Sequence, residues 1–320
     1  MAALNAPLRV LLVAAEGAGT HALRAVARAG CVVVGVLTGE GDGDEHARGN
    51  GVRALAGDLR CPIWPAATVR DAEFAEYVRR ERVDVLLNIH SLYLIRAEIL
   101  EAPVIGSFNL HPGPLPELAG LNAVSWALYE GRARHAVTLH WMVPKVDAGA
   151  IAYQAPFAIE AQDTALTLST KCVRAGVPMI TQLLAAAAGR EIPAIPQDLT
   201  RRRYYGREVP EGGRLTWSRT AQEIVNFARA CDYLPYRSPW GHPVGSFGGQ
   251  QVALLKAAST GVRANGAPGT VGAFTAGGVL VSAVDEWVLV RRLIRDGQSL
   301  DARQVLLEGA RFDQDGNGHP

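Results

Sequence analysis

The sequence predicts an α/β domain built on a mostly parallel sheet, followed by a smaller all-β domain. Three observations carry this. Short continuous apolar runs alternate with helical stretches over the first 190 residues. A proline- and arginine-rich segment then interrupts the pattern, and short strands with Gly-rich turns follow. The length of 320 residues suits two domains at roughly 150 residues each. With 48% hydrophobic and 20% charged residues, a largely disordered chain is excluded. Lys and Arg total 32 against 31 for Asp and Glu, so the net charge of +1 gives no overall electrostatic grip on nucleic acid.

Taken in order, residues 9–15 (Arg-Val-Leu-Leu-Val-Ala-Ala) read as a strand buried on both faces. Gly17 and Gly19 follow, then a helix over 21–28 and a second buried strand over 31–37. This β-α-β start is the mark of a parallel sheet. Residues 39–51 form a Gly-rich acidic loop, 69–82 a helix, 83–89 a third strand and 104–110 a fourth. A helix is expected over 123–130, strands at 136–143 and 150–157, and a long helix capped by Asp163 or Thr164 and running to about residue 188. The expected catalytic domain is therefore 1–190. A linker over 191–212 contains Pro193, Pro196, Pro210 and the cluster Arg201-Arg-Arg-Tyr-Tyr205. In the C-terminal domain, 213–312, Thr220 and Glu223 have capping-box spacing for a short helix. Strands are expected at 252–256, 269–274, 279–283 and 287–293, the pattern of a small barrel or sandwich. The tail 313–320 reads as disordered.

Cys31, Cys61, Cys172 and Cys231 form no C-x-x-C pair and no zinc spacing. No metal site is expected. The N-terminal apolar run is too short for a signal peptide or a membrane span, so a cytoplasmic chain with no membrane partner is expected. Gly17-Ala-Gly19 lacks the third glycine of a dinucleotide fingerprint, since position 22 is Ala. Walker, H-E-x-x-H and G-x-S-x-G motifs are absent.

The most informative stretch is Ser107-Phe-Asn-Leu-His-Pro-Gly-Pro-Leu-Pro116, a buried strand running into a Pro/Gly loop. Side chains alternate along a strand, so Asn109 and His111 share a face. Ligands of open α/β sheets sit beyond the carboxyl ends of strands. An amide donor and an imidazole placed there suit acyl transfer, the amide N–H for a developing oxyanion and the imidazole for a proton. Asp147, in the turn Asp147-Ala-Gly149, would orient His111 if the turn folds back onto it.

Phe108-Asn-Leu-His-Pro-Gly-Pro-Leu-Pro116, Gly120, Trp126-Ala-Leu-Tyr-Glu-Gly131, Val137-Thr-Leu-His140 and Val146-Asp-Ala-Gly-Ala-Ile151 together resemble the formyltransferases that use N10-formyltetrahydrofolate. The resemblance covers roughly residues 8–190. Leu215-Thr-Trp-Ser218, Arg229-Ala-Cys-Asp-Tyr-Leu-Pro235, Pro268-Gly-Thr-Val271 and Leu306-Leu-Glu-Gly309 are similar to the small barrel domain of the tRNA-formylating members. The expected fold class is thus a Rossmann-like, mostly parallel sheet with helices on both faces, followed by an OB-like barrel.

The resemblance implies a catalytic set of Asn109, His111 and Asp147. It implies N10-formyltetrahydrofolate as co-substrate, with the pterin against Leu92, Tyr93, Leu94 and Ile95. The turn carrying Val143 and Val146 lies on the other side. Trp126, His140 and Trp141 are candidate acceptor-side residues.

For the acceptor, the stretch Gly39 to Asn50 carries one Arg against four carboxylates, a net −3, where tRNA enzymes have a basic insertion. The wording of Leu115-Pro-Glu-Leu-Ala-Gly-Leu-Asn-Ala123 and His140-Trp-Met-Val-Pro144 is similar to biosynthetic formyltransferases. The expectation is therefore a small amine: an amino acid, free or held on a carrier protein, or an amino sugar. A methionyl-tRNA formyltransferase, a formyltetrahydrofolate hydrolase and a non-catalytic folate-binding or carrier-docking module are the alternatives.

Overall fold

A computed structural model describes residues 6–39 and 50–313. Most of the acidic stretch and the tail beyond residue 313 lie outside the described residues. In chain order the first half contains β1 (Arg9–Ala14), α1 (Glu16–Arg28), β2 (Val32–Thr38), α2 (Asn50–Asp58), β3 (Ile63–Pro65), α3 (Phe74–Arg80), β4 (Val85–Ile89), α4 (Ala97–Leu100), β5 (Gly106–His111), β6 (Ala119–Gly120), α5 (Ala123–Tyr129), β7 (Arg134–Trp141), β8 (Ile151–Ala158) and α6 (Ala165–Gly189). There follow β9 (Tyr204–Tyr205), α7 (Ala221–Ala230), β10 (Val244–Phe247), β11 (Gln250–Arg263), β12 (Val271–Thr275), β13 (Gly278–Ser282), β14 (Glu286–Arg295) and β15 (Gln298–Asp301).

The chain divides into two units. Unit one comprises Met1–Ala123, Arg134–Ala158 and Ser169–Tyr205; unit two comprises Val124–Ala133, Ile159–Leu168 and Gly206–Pro320. Unit one holds a seven-stranded sheet in the order β3-β2-β1-β4-β5-β7-β8. The first five strands in that order run parallel, and β7 and β8 join antiparallel. β1 and β4 are apolar and buried along nearly their whole length because both faces are covered. Leu11, Val13, Leu37, Val78, Leu86 and Ile99 fill one side of the sheet. On the other side Gly176 of α6 allows a close approach: a Cβ there would meet Leu110 at 2.9 Å. Face assignment in β5 follows. Phe108 and Leu110 pair with Trp141 and Leu139, while Asn109 and His111 pair with His140 and Thr138 on the opposite face.

Unit one departs from the expected elements in several places. The helix expected over 69–82 is interrupted: a 3-10 turn, Ala66–Arg70, ends at an extended Asp71 before α3 begins. The short α2 and β3 were not expected. Residues 193–205 are tied to unit one, with Ile195 bridging Ile151 and β9 pairing with β6.

Unit two is an antiparallel sheet in the order β10-β11-β14-β13-β12, with β15 on β14. Its core gathers Leu215, Trp217, Ile224, Leu254, Val281 and Leu293. β10 and β15, short and Gly- or Ser-bearing, add two strands to the four expected. α7 carries the capping box anticipated from the sequence. The Glu223 backbone N–H donates to Thr220 Oγ1 at 3.3 Å, and the Thr220 N–H to Glu223 Oε2 at 3.0 Å. Thr220→Ala removes one half of this exchange and should cost about 1 kcal/mol. The check is a lowered urea midpoint at unchanged slope; a midpoint equal to that of the wild type would show the cap to be idle.

Candidate active site

β4 and β5 end side by side, with Asn88 in register with Asn109 and Ile89 with Leu110. β7 runs antiparallel beside β5 and sets His140 opposite Asn109. The turn between β7 and β8 then brings back Asp147, whose backbone is in the left-handed region (φ 51°). Asn109 and His111 of β5, His140 of β7 and Asp147 of the turn therefore meet at one end of the sheet.

Asp147 is at their centre and only 9% exposed. Its Oδ2 accepts the Gly120 N–H at 2.8 Å and lies 3.5 Å from His111 Nδ1. Its Oδ1 lies 3.4 Å from both His140 Nε2 and Asn109 Nδ2. Asn109 Nδ2 is 3.1 Å from His140 Nε2, and Asn109 Oδ1 accepts from Asn88 Nδ2 at 3.0 Å. His111 is also buried; its Nε2 donates to Leu118 O at 2.7 Å, which leaves Nδ1 as the nitrogen facing Asp147.

The electrostatics follow from burial and pairing. Burial pushes the His111 imidazole below its ordinary value, against the opposing pull of Asp147. Burial acts to raise the Asp147 carboxyl. The two imidazoles and the Gly120 N–H outweigh it and hold Asp147 below the usual carboxylate range.

The backbone of the Asp147 turn is clamped from behind. Gln197 Nε2 donates to Asp147 O at 2.9 Å and to Gly149 O at 2.6 Å. Arg202 Nη2 donates to Val146 O at 2.9 Å. Gly149 passes so close to β7 that a Cβ would lie 1.9 Å from Trp141 O. The Pro/Gly loop after β5 is held similarly. Thr138 Oγ1 donates to Gly113 O at 2.7 Å, and Gln154 Nε2 donates to Leu115 O at 3.1 Å.

The structure brings together Asn109, His111, Asp147 and His140. Asn88, Gln197 and Arg202, which sequence reasoning missed, join them. Leu92 (80% exposed), Tyr93 and Leu94 (69%) follow the carboxyl end of β4 as an exposed apolar loop, with the Arg70 guanidinium 4.9 Å from the Tyr93 ring. Ile95 turns into the core. Val143 is exposed and Val146 half-buried on the Asp147 turn. Trp141 lies on the face opposite His140. It packs on Phe108 at 4.4 Å between ring centres and donates to Pro193 O at 2.8 Å. Trp126 falls in unit two, edge-on to Trp240 and Tyr129. Among the described residues no group of three or more His, Cys, Asp or Glu is arranged to hold a metal ion.

An amide donor, two imidazoles and a buried carboxylate at the carboxyl ends of parallel strands suit group transfer at a carbonyl. The formyl transferase profile matches residues 18–184, and the formyl transferase C-terminal domain profile matches residues 209–309. The chain belongs to the formyl transferase family of enzymes. Among solved structures it is similar to WlaRD, a sugar 3N-formyl transferase determined with dTDP and 5-N-formyl-THF. The identity is 17% and the TM-score 0.69, covering 92% of this chain and 98% of that one. The N-formyltransferase from Helicobacter canadensis, in complex with folinic acid and dTDP-3-aminofucose, matches at 16% identity and TM-score 0.69, covering 92% and 100%. HypX from Aquifex aeolicus, in complex with tetrahydrofolic acid, matches at 17% identity and TM-score 0.64. There 94% of this chain covers 47% of HypX, so the chain spans about half its length.

The buried site should make stability fall on acidification. Below about pH 6.5 an unfolded histidine takes a proton that folded His111 refuses. The unfolded state then binds more protons, so stability falls as pH falls. His242, also held low by burial, adds a loss of the same sign. Below about pH 4 the unfolded carboxyl of Asp147 protonates ahead of the folded one, giving a second loss. Denaturant unfolding between pH 8 and 3 should show the slope between pH 7 and 5 reduced, not abolished, in His111→Gln. An unchanged slope in that variant would refute the assignment of a buried neutral imidazole.

Proposed function

We propose that the chain transfers the formyl group of N10-formyltetrahydrofolate to the primary amine of a small biosynthetic substrate, by direct attack through a tetrahedral intermediate. The observation that carries the reading is the convergence of Asn109, His111, His140 and Asp147 at the carboxyl ends of β4 and β5 in a formyl transferase chain. The folate forms named with WlaRD, the Helicobacter canadensis enzyme and HypX support the co-substrate. The dTDP and dTDP-3-aminofucose named with the first two favour an amino sugar over an amino acid, free or on a carrier protein, as acceptor. Four free cysteines suit the reducing cytoplasm.

The residues fit a folate. Exposed Leu92 and Leu94 offer apolar surface to a flat ring, and Val143 stands exposed on the Asp147 turn. When bound, the folate supplies the formyl carbon and N10 as leaving group. The amine nitrogen forms the new C–N bond while the carbonyl electron pair moves to oxygen. Asn109 donates an Nδ2 hydrogen to that oxyanion. One Nδ2 hydrogen is engaged by His140; the second, whose contact with Asp147 is long at 3.4 Å, is the one offered to the oxyanion. His111 takes the amine proton at Nδ1, with Asp147 balancing the charge, and returns it to N10 as the C–N10 bond breaks. Gln197 and Arg202 hold the Asp147 turn, and Leu118 O holds the far nitrogen of His111.

Asn109→Ala and Asp147→Asn should each lower turnover by at least about 100-fold while the circular dichroism spectrum is kept. The assay is release of tetrahydrofolate, with mass spectrometry of products, against dTDP-amino sugars, amino acids, carrier-loaded amino acids and Met-tRNA. Release without amine would instead make the protein a hydrolase. Wild-type rates in either variant would overturn the assignment of these residues.

A further inference from the structure

Asn88 is a buried amide that the mechanism leaves unused. It is 6% exposed, lies in register with Asn109, and among the described residues its Oδ1 has no hydrogen-bond partner. Its Nδ2 donates to Asn109 Oδ1 at 3.0 Å and lies 3.5 Å from Ser91 O. Which way each amide points follows from groups with fixed roles. Trp141 O only accepts, and it lies 2.7 Å from His140 Nδ1, so that nitrogen carries the hydrogen. In the neutral ring Nε2 is then an acceptor, and it faces Asn109 at 3.1 Å. Asp147 Oδ1 faces the same end of the Asn109 amide at 3.4 Å. A reversed Asn109 would set its oxygen against both a lone pair and a buried carboxylate. Asn109 therefore presents Nδ2 to His140 and Asp147, and its Oδ1 points the other way, toward buried Asn88, where it needs a donor. Asn88 supplies that donor.

We propose that Asn88 is a positioning residue for formyl transfer, holding the Asn109 amide with its N–H edge toward the reacting carbonyl. The proposal rests on the oxyanion role given to Asn109 above. The relay runs from a backbone carbonyl through His140 and Asn109 to Asn88, so it is locked at one end by the strand itself. A carboxylate at position 88 would break it actively. It accepts where Asn88 donates, and so draws the Asn109 N–H edge toward itself and turns Oδ1 onto Asp147. An apolar side chain only removes the donor and leaves His140 and Asp147 to hold Asn109.

The test compares Asn88→Asp and Asn88→Leu in the full chain, with steady-state kinetics, thermal denaturation and 15N NMR of labelled histidines. Asn88→Asp should lower kcat about 100-fold, Asn88→Leu about 10-fold, both with the folate KM within about threefold of wild type. In the wild type, His140 should show a protonated Nδ1 and a bare Nε2. In Asn88→Asp, Nε2 should become protonated. A residue that only fills space gives the opposite rate order, because aspartate keeps the shape of asparagine; that order, or kcat within threefold of wild type in Asn88→Asp, overturns the proposal. Where Asn88→Asp does not fold, Asn88→Leu decides: a loss of about tenfold in kcat at constant KM upholds the proposal and a wild-type kcat overturns it. The wild-type tautomer is read without substrate. A protonated Nε2 with a bare Nδ1 there overturns the relay even if formyl transfer is found. The expected tautomer without transfer to any acceptor upholds the relay and faults the function reading.

Discussion

A negative charge buried at the end of a sheet has to be paid for by donors, and the Asp147 carboxylate organises the neighbourhood that supplies them. It accepts the Gly120 N–H from β6 and faces the amide of Asn109, with the imidazoles of β5 and β7 alongside at 3.5 and 3.4 Å. Each of these contacts requires a particular piece of the fold. Gly120 is in reach because β6 is pinned by β9, with Leu121 N donating to Tyr205 O at 2.8 Å. His140 is in reach because β7 pairs antiparallel with β5 in the register that sets His140 opposite Asn109.

The same requirement explains what could be read from the sequence. The central strands were legible because strands buried on both faces are written as unbroken apolar runs, and β1, β2 and β4 are so written. Asn109 and His111 were legible because alternation alone places them on one face. The importance of Asp147 rests on a turn folding back, which local chemistry leaves undecided; resemblance supplied it. Asn88 was hidden for a different reason. It is one polar residue ending an apolar strand, and its meaning lies in register with a residue 21 positions later. A strand's own pattern fixes the face a residue takes, not which residue of a neighbouring strand it meets. The helix expected over 69–82 is broken at Asp71, whose extended backbone ends the 3-10 turn before α3 begins.

His140 and Trp141 show the alternation rule used incompletely. Both were considered as acceptor-side residues, yet neighbours on one strand point to opposite faces. The structure places the imidazole with Asn109 and the indole with Phe108. The period that joined Asn109 to His111 also separates this pair, and sequence alone was enough to see it.

The arginine cluster at 201–203 lies in the stretch expected as a linker. Each side chain has a specific task within unit one. Arg201 pairs with Glu117, Arg202 donates to Val146 O and lies over the Tyr204 ring, and Arg203 lies over the Tyr205 ring. Guanidinium suits these tasks because it is flat enough to cover a ring and still carries donors along its edge. Arg202 does both at once, so the turn that holds Asp147 is anchored to the segment that pins β6. Two supports of one carboxylate, its Gly120 donor and its own backbone, therefore move together or not at all. The preorganisation of the site thus depends on residues 50 or more positions beyond Asp147, in a stretch whose composition alone reads as a connection.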